Sequence, residues 1–325
     1  MTTKSTNPTK TTKGESKVKT STIKPNPTPT IKGEIKVKAP TQPTKPIHPL
    51  ALRIPDKAKY YDTYVGRSIN GVEDITILDE AAKSKFNTLI GGPTGSAKTS
   101  LVYAFAAYRG LPLVNIACNG AIDPRTLFGG WVPDADGGFK YEPGDLVLAV
   151  QHGGVILINE CNFAPPKILA SLYGLLDRRR DLTVNEAAGS DHPTVVHAHD
   201  DCFIVADYNP DYIGTRPLSE AFINRFPVKL HWGYNRDVED TLVASSVLQD
   251  MADSLRERHA LGEISGTVPT NLLMEFLDIA ENPKLGMEFA ISNFVNSFPE
   301  NERALVTELF LLNKTPLNTS LGIGE

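Results

Sequence analysis

Gly92-Pro93-Thr94-Gly95-Ser96-Ala97-Lys98-Thr99 follows the short apolar stretch Phe86–Ile90 and runs into Ser100–Tyr108, which reads as a helix. Strand, glycine-rich turn, Lys-Thr and helix in that order form a phosphate-binding loop. Successive backbone N–H groups curl around phosphate oxygens, and the helix N-terminus adds partial positive charge. Gly92, Pro93, Thr94, Gly95, Ser96 and Ala97 would make the cradle, with Ser100 in the first helical turn. Lys98 would reach the β- and γ-phosphates. The Thr99 hydroxyl would bind Mg2+, which keeps most of its own waters. ATP and Mg2+ are therefore the expected cofactors. Ala97 stands where the general motif has glycine.

Working outward, the chain alternates strands and helices. Pro112–Ile116, Val155–Ile158, Cys202–Ala206 and Val228–His231 read as strands, and Lys167–Leu176 as a helix with leucines at helical spacing. Alternation of this kind implies a parallel sheet with crossovers. From about Arg236 no strand pattern survives, and 238–258, 271–281 and 302–312 look helical. The expected class is α/β, a P-loop fold with a five-stranded parallel sheet and flanking helices. Three segments are expected: a disordered tail over 1–48, an α/β core over 49–235 and a small helical lid over 236–325.

The apolar run Val155-Ile156-Leu157-Ile158 ends in Asn159-Glu160. A strand ending in a carboxylate beside a phosphate loop aims that group at the metal and the attacking water, and Glu160 is the candidate for polarising the water. An aspartate normally precedes it to hold the Mg2+ shell; here that position is the neutral Asn159.

Asn159-Glu160-Cys161-Asn162-Phe163-Ala164-Pro165-Pro166 resembles the "DE-x-N-x-A-P-P" segment of the MoxR/CbbQ/midasin-like AAA+ ATPases, the dynein-related, helix-2-insert clade. The likeness continues through 175–184, resumes at Ala206-Asp207-Tyr208-Asn209-Pro210, similar to that family's sensor-1 strand, and closes on Gly214–Phe226, similar to its arginine-finger segment. It covers about Tyr64 to His231, with four motifs in order; the Ala97 variant is also familiar in that clade. The resemblance implies a strand order of 5-1-4-3-2, Asn209 as sensor 1, and Arg225 as a finger acting on a neighbouring subunit's ATP. It implies a homo-oligomer, a hexameric ring, that remodels or assembles a protein partner, in relatives often a metal-site or VWA-domain protein. Two hairpin inserts fit, at 127–141 and 182–199. In relatives such loops face substrate, so Trp131 and Phe139 are either substrate contacts or packing for the hairpin.

Two departures matter. Asn159 supplies no charge, so weaker Mg2+ handling and slower hydrolysis are expected. Asn271 falls about where the family carries a sensor-2 arginine. An assembly switch that binds ATP but scarcely hydrolyses it is the alternative that Asn159 motivates.

The bulk numbers set the remaining bounds. With 41% hydrophobic and 22% charged residues, the 325-residue chain is ordinary for a soluble protein. No apolar run reaches the roughly 18 residues that span a bilayer, so no membrane partner is expected. Cys118, Cys161 and Cys202 lie far apart, which fits a reduced, cytoplasmic chain. Residues 1–48 carry ten Lys and two Glu, a net of +8, while the remainder carries 23 basic and 36 acidic residues, a net of −13. The basic tail leaves nucleic acid open as a partner, and a nucleic-acid motor as a further alternative, but the acidic body argues against both. His197, His199 and Cys202 lack a second pair to complete a zinc site. Arg178–Arg180 read as a solvated helix end, and Cys161 as a small core residue.

Overall fold

The computed structural model describes residues 48–118, 122–210 and 216–322. Apart from His48, the expected tail lies outside them, as do Gly214 and Thr215 of the expected finger segment.

Five strands form the central sheet: β1 (Thr88–Gly91), β2 (Leu113–Ala117), β3 (Gly154–Asn159), β4 (Cys202–Tyr208) and β5 (Val228–His231). All neighbours run parallel, in the spatial order 5-1-4-3-2. Parallel strands are covered on both faces, which is why β3 reads as an unbroken apolar run. Its side chains alternate between two cores. Ile156 and Ile158 join one core with Leu89, Ile116 and Ile204. Val155 and Leu157 join the other with Ile90, Phe203 and Val205.

Helices seal each face. α1 (Asp74–Lys83) and α2 (Lys98–Arg109) bring Leu78, Leu101, Val102 and Phe105 to the second core. α3 (Asp145–His152) brings Leu146, Val147 and Val150 to the first. The helix expected over 167–176 is in fact two short ones, α4 (Pro166–Ser171) and α5 (Tyr173–Leu176), broken at Leu172. Two antiparallel hairpins project from this side, Gly130–Pro133 with Phe139–Glu142 and Asp181–Thr183 with Val195–His197.

The helical part has its own core, built on Leu255, Leu273, Phe276, Phe294 and Phe310. It comprises α6 (Arg236–Leu242), α7 (Ser246–Ala260), α8 (Thr270–Ala280), α9 (Gly286–Asn296) and α10 (Arg303–Ser320). The single helix expected over 238–258 is split because Ser245 caps a new start, its side chain accepting from the Leu248 N–H. α9 was not foreseen, and α10 runs eight residues beyond the expected Leu312 with Pro316 inside it. Glu239 on α6 is buried and takes both guanidinium arms of Arg256 on α7, at 2.6 and 2.8 Å. The Thr270 hydroxyl at the start of α8 also donates to Glu239, at 2.6 Å. One carboxylate thus ties three helices together.

Arg180 corrects the reading of a solvated helix end. Arg178 and Arg179 are exposed, but Arg180 is buried with a left-handed φ of 55°, and its guanidinium donates to the Cys202 carbonyl.

Candidate functional site

The phosphate loop leaves β1 at the C-terminal end of the sheet and enters α2. Its shape is set by close backbone approaches. A Cβ on Gly92 would sit 1.8 Å from the Trp232 carbonyl oxygen, and one on Gly95 would sit 2.2 Å from Pro269 Cβ. Ala97 caps α2 with φ 68° and ψ 23°, the left-handed region. That explains the glycine of the general motif: alanine there carries strain of about 1–2 kcal/mol.

Three side chains that the sequence did not single out hold the loop from behind. The fully buried Trp232 donates its indole N–H to the Ser96 carbonyl at 2.7 Å. Arg67 donates to the same carbonyl at 3.1 Å and lies over the Trp232 ring, 3.9 Å from its centroid. The Tyr234 hydroxyl donates to the Thr94 carbonyl at 2.9 Å, and Arg256 lies over the Tyr234 ring. The Trp232→Phe variant should lose about 1–3 kcal/mol of stability in chemical denaturation, because a buried carbonyl loses its principal donor. An unchanged denaturation midpoint would contradict this role.

A cavity of about 250 Å³ opens in front of the loop, lined by Thr94, Gly95, Ala97, Lys98, Thr99, Ser100, Asn159, Glu160, Asp207 and Asn209. Lys98 is buried, and its ammonium donates to the carbonyls of Gly92 and Pro93 at 2.8 and 2.7 Å. Burial pushes its pKa down, while Asp207 and Glu160 oppose that shift. The Asn209 amide donates to the Thr94 hydroxyl at 2.6 Å, so the expected sensor touches the loop directly. Asn162 holds that segment by donating to the Asn209 carbonyl at 2.8 Å. Glu160 is exposed to the cavity on a left-handed turn, φ 55°, just past the end of β3. Gly92, Pro93 and Ser96 do not line this cavity; they shape the loop behind it.

Asp207, on β4, is 1% exposed. Burial pushes its carboxyl up to about 6, with Glu160 adding to the shift, while the Glu160 backbone N–H and Lys98 oppose it. Asp207 accepts from that N–H. The Asn159 amide is assigned with its nitrogen toward Asp207, 3.0 Å from both carboxylate oxygens, because the reverse would set oxygen against oxygen. Sequence reading passed over Asp207 as one letter of the Ala206–Pro210 segment. Only strand register reveals that it flanks Asn159.

A second cleft, about 560 Å³, shares Gly95, Ala97, Thr99 and Ser100 with the first. Tyr60, Tyr64, Tyr103, Val238, Leu242 and Met274 give it aromatic and apolar walls. A planar base suits such walls while its phosphates occupy the polar cavity next door. Asn271 lines this cleft and donates to Glu275 at 3.2 Å.

The other predicted residues lie elsewhere. Arg225 is not a wall of either cavity. Its Nε is 2.8 Å from Asp177, its guanidinium covers the Tyr173 ring at 4.1 Å, and its carbonyl accepts from Asn87, which precedes β1. That is the end of the sheet opposite the loop. Trp131 donates its indole N–H to the Glu186 carbonyl at 3.0 Å, which joins the two hairpins, whereas Phe139 is 69% exposed. His197 pairs with Asp181 at 2.8 Å, while Cys202 is buried. Burial raises the Cys161 thiol well above its ordinary value, as suits a core residue.

Residues 87–226 match the AAA domain (dynein-related subfamily). The chain is 31% identical over 198 residues to the uncharacterized protein YojN of Bacillus subtilis, covering 58% of this chain and 63% of the relative. An uncharacterized protein of Staphylococcus epidermidis is 30% identical over 264 residues, covering 75% of this chain and 96% of its own length. One from Staphylococcus saprophyticus is 30% identical over 270 residues, covering 78% and 98%. The chain thus spans under two thirds of the Bacillus relative and nearly all of the staphylococcal ones. A solved structure from Cytophaga hutchinsonii is 18% identical, covers 77% of this chain and 88% of that one, and has a TM-score of 0.40, too loose a likeness to build on.

Proposed function

We propose that the chain, whose residues 87–226 match the AAA domain (dynein-related subfamily), hydrolyses ATP with Mg2+ between the subunits of a ring and uses the cycle to remodel or assemble a protein partner, in the manner of the MoxR/CbbQ clade. The observation that carries the reading is a polar cavity in which Lys98, Thr99, Glu160 and Asn209 converge on one glycine-rich loop.

Each side chain has a part. The loop amides and Lys98 grip the triphosphate, and Lys98 exchanges its two carbonyl partners for phosphate oxygens. Glu160 orients the attacking water and accepts its proton, and Asn209 holds the γ-phosphate or that water. Thr99, Asn159 and the cavity carboxylates present oxygen donors of the hard kind that Mg2+ prefers, so the residues present fit the ion. Bound Mg2+ would neutralise charge on the β- and γ-phosphates. Arg225, remote from its own subunit's cavity, is suited only to a neighbour's. Phe139 on its exposed hairpin is the candidate contact for the protein partner, for which a VWA-domain protein is the candidate.

Nucleotide binding and turnover separate in two variants. Lys98→Ala should abolish measurable ATP affinity, read by a fluorescent ATP analogue with Mg2+ present. Glu160→Gln should keep that affinity while hydrolysis falls by about 10²-fold or more. Wild-type protein with no ATP affinity would overturn the reading. A wild-type rate no higher than that of Glu160→Gln, at ring-forming concentration, would instead favour the assembly switch that Asn159 motivates.

A further inference from the structure

Asn159 leaves β3 without the negative charge that a metal-bearing strand ordinarily ends on. Charge is nevertheless present at that spot. Ala206 of β4 pairs with Ile158 of β3, which puts the next residues, Asp207 and Asn159, side by side at the strand ends. Both line the phosphate cavity with Thr99 and Glu160. Across one strand spacing, acid stands on β4 and amide on β3. We infer that Asp207 supplies, from the neighbouring strand, the carboxylate charge that orders the Mg2+ shell in place of the missing aspartate at position 159.

The surroundings of Asp207 favour this over a purely architectural part. Its donors are the Glu160 backbone N–H and the Asn159 amide, both neutral groups. Among the described residues it has no ion-pair partner within 4 Å, since Lys98 directs its ammonium to the Gly92 and Pro93 carbonyls. A carboxylate this deeply buried is costly unless a cation answers it, and a divalent ion held by water in the same cavity would do so. Asn159 then acts as a spacer. Its nitrogen is committed to Asp207, which leaves its amide oxygen as the acceptor for metal-bound water. The same carboxylate fixes the backbone N–H of Glu160, so one group sets both the cation shell and the turn that carries the water-polarising residue. Asp207 is in this sense a positioning residue.

The inference rests on the nucleotide-site reading above, and its test separates the two. The affinity of a fluorescent ATP analogue would be measured in EDTA and across a Mg2+ titration for wild type, Asp207→Asn, and the exchanged pair Asn159→Asp/Asp207→Asn. Asp207→Asn should raise the Mg2+ concentration at half-effect by about 10–100-fold, the usual effect of losing an outer-shell partner, with no loss of affinity in EDTA, where one negative charge fewer faces the phosphates. The exchanged pair, which returns the acid to β3, should recover the wild-type midpoint. Asp207→Thr, which keeps an acceptor for the Glu160 N–H, takes the place of Asp207→Asn if the latter does not fold. A folded charge-free variant with the wild-type Mg2+ midpoint overturns the inference and leaves the nucleotide site standing, as does an exchanged pair no better than Asp207→Asn. Wild type that binds no nucleotide in either condition removes the site itself.

Discussion

Arg225→Ala is expected to lower steady-state ATP hydrolysis by about 10³-fold or more while nucleotide affinity changes little. The guanidinium lies beside Asp177 and over Tyr173, and the residue's backbone is fastened to Asn87 at the far end of β1. Nothing on that side can touch the phosphates gripped by the same chain. If the residue matters for turnover, it does so across a subunit boundary. The decisive form of the experiment mixes Arg225→Ala with Lys98→Ala. On the proposed ring, each variant would lack a different half of a shared site, so mixed assemblies would contain some boundaries with both halves intact, and part of the rate should return. Arg225→Lys controls for the loss of the Asp177 pair, since it keeps a charge there without the planar fork. Wild-type turnover by Arg225→Ala, or no recovery on mixing variants that do co-assemble, would sink the shared-site reading.

Glu239→Ala should destabilise the protein by about 3–5 kcal/mol, read from chemical denaturation. The carboxylate is 1% exposed and answers both arms of Arg256 and the Thr270 hydroxyl. Removing it leaves a guanidinium that is only 12% exposed with the half-exposed Asp253, at 3.0 Å, as its remaining carboxylate partner. Glu239→Gln should lose less, because it keeps an acceptor for Thr270. Arg256 donates to the Val268 carbonyl at 2.9 Å and covers Tyr234, which in turn holds Thr94 of the phosphate loop. Loss of Glu239 should therefore weaken ATP affinity as well, although the residue lines neither cavity. A Glu239→Ala protein with wild-type midpoint and affinity would show that the pair is incidental.

How much of this was legible beforehand depended on how local each signal was. The phosphate loop could be read because strand, turn and helix are adjacent in the chain, and their backbone requirements fall on consecutive residues. β3 was legible because burial on both faces leaves no polar residue in the run. The helix breaks at Leu172 and at 243–245 were not, because apolar spacing carries across them; Ser245 looks like one more helical position until its hydroxyl is seen to cap the next helix. α9 has apolar residues at helical spacing in Met287, Ala290 and Phe294, but Ser292, Asn293 and the preceding Asn282-Pro283 obscure it. The strand order came from the resemblance rather than from pattern. Asp207 was hidden for a physical reason: its meaning lies in which residue stands beside it on the next strand, and 48 positions of chain separate the two. Trp232, Arg67 and Tyr234 escaped likewise, since what they hold is the carbonyl side of a loop distant in sequence.

Gly95 has a second duty beyond its left-handed turn. Pro269 and Asn271, at the threshold of α8, lie so near that a single methyl group there would overlap both. An inward shift of the helical part at this point would drive Pro269 and Asn271 into the loop backbone at Gly95, so the room for movement there lies on the outward side. The phosphate loop acts as a doorstop, and its smallest residue sets where the door comes to rest.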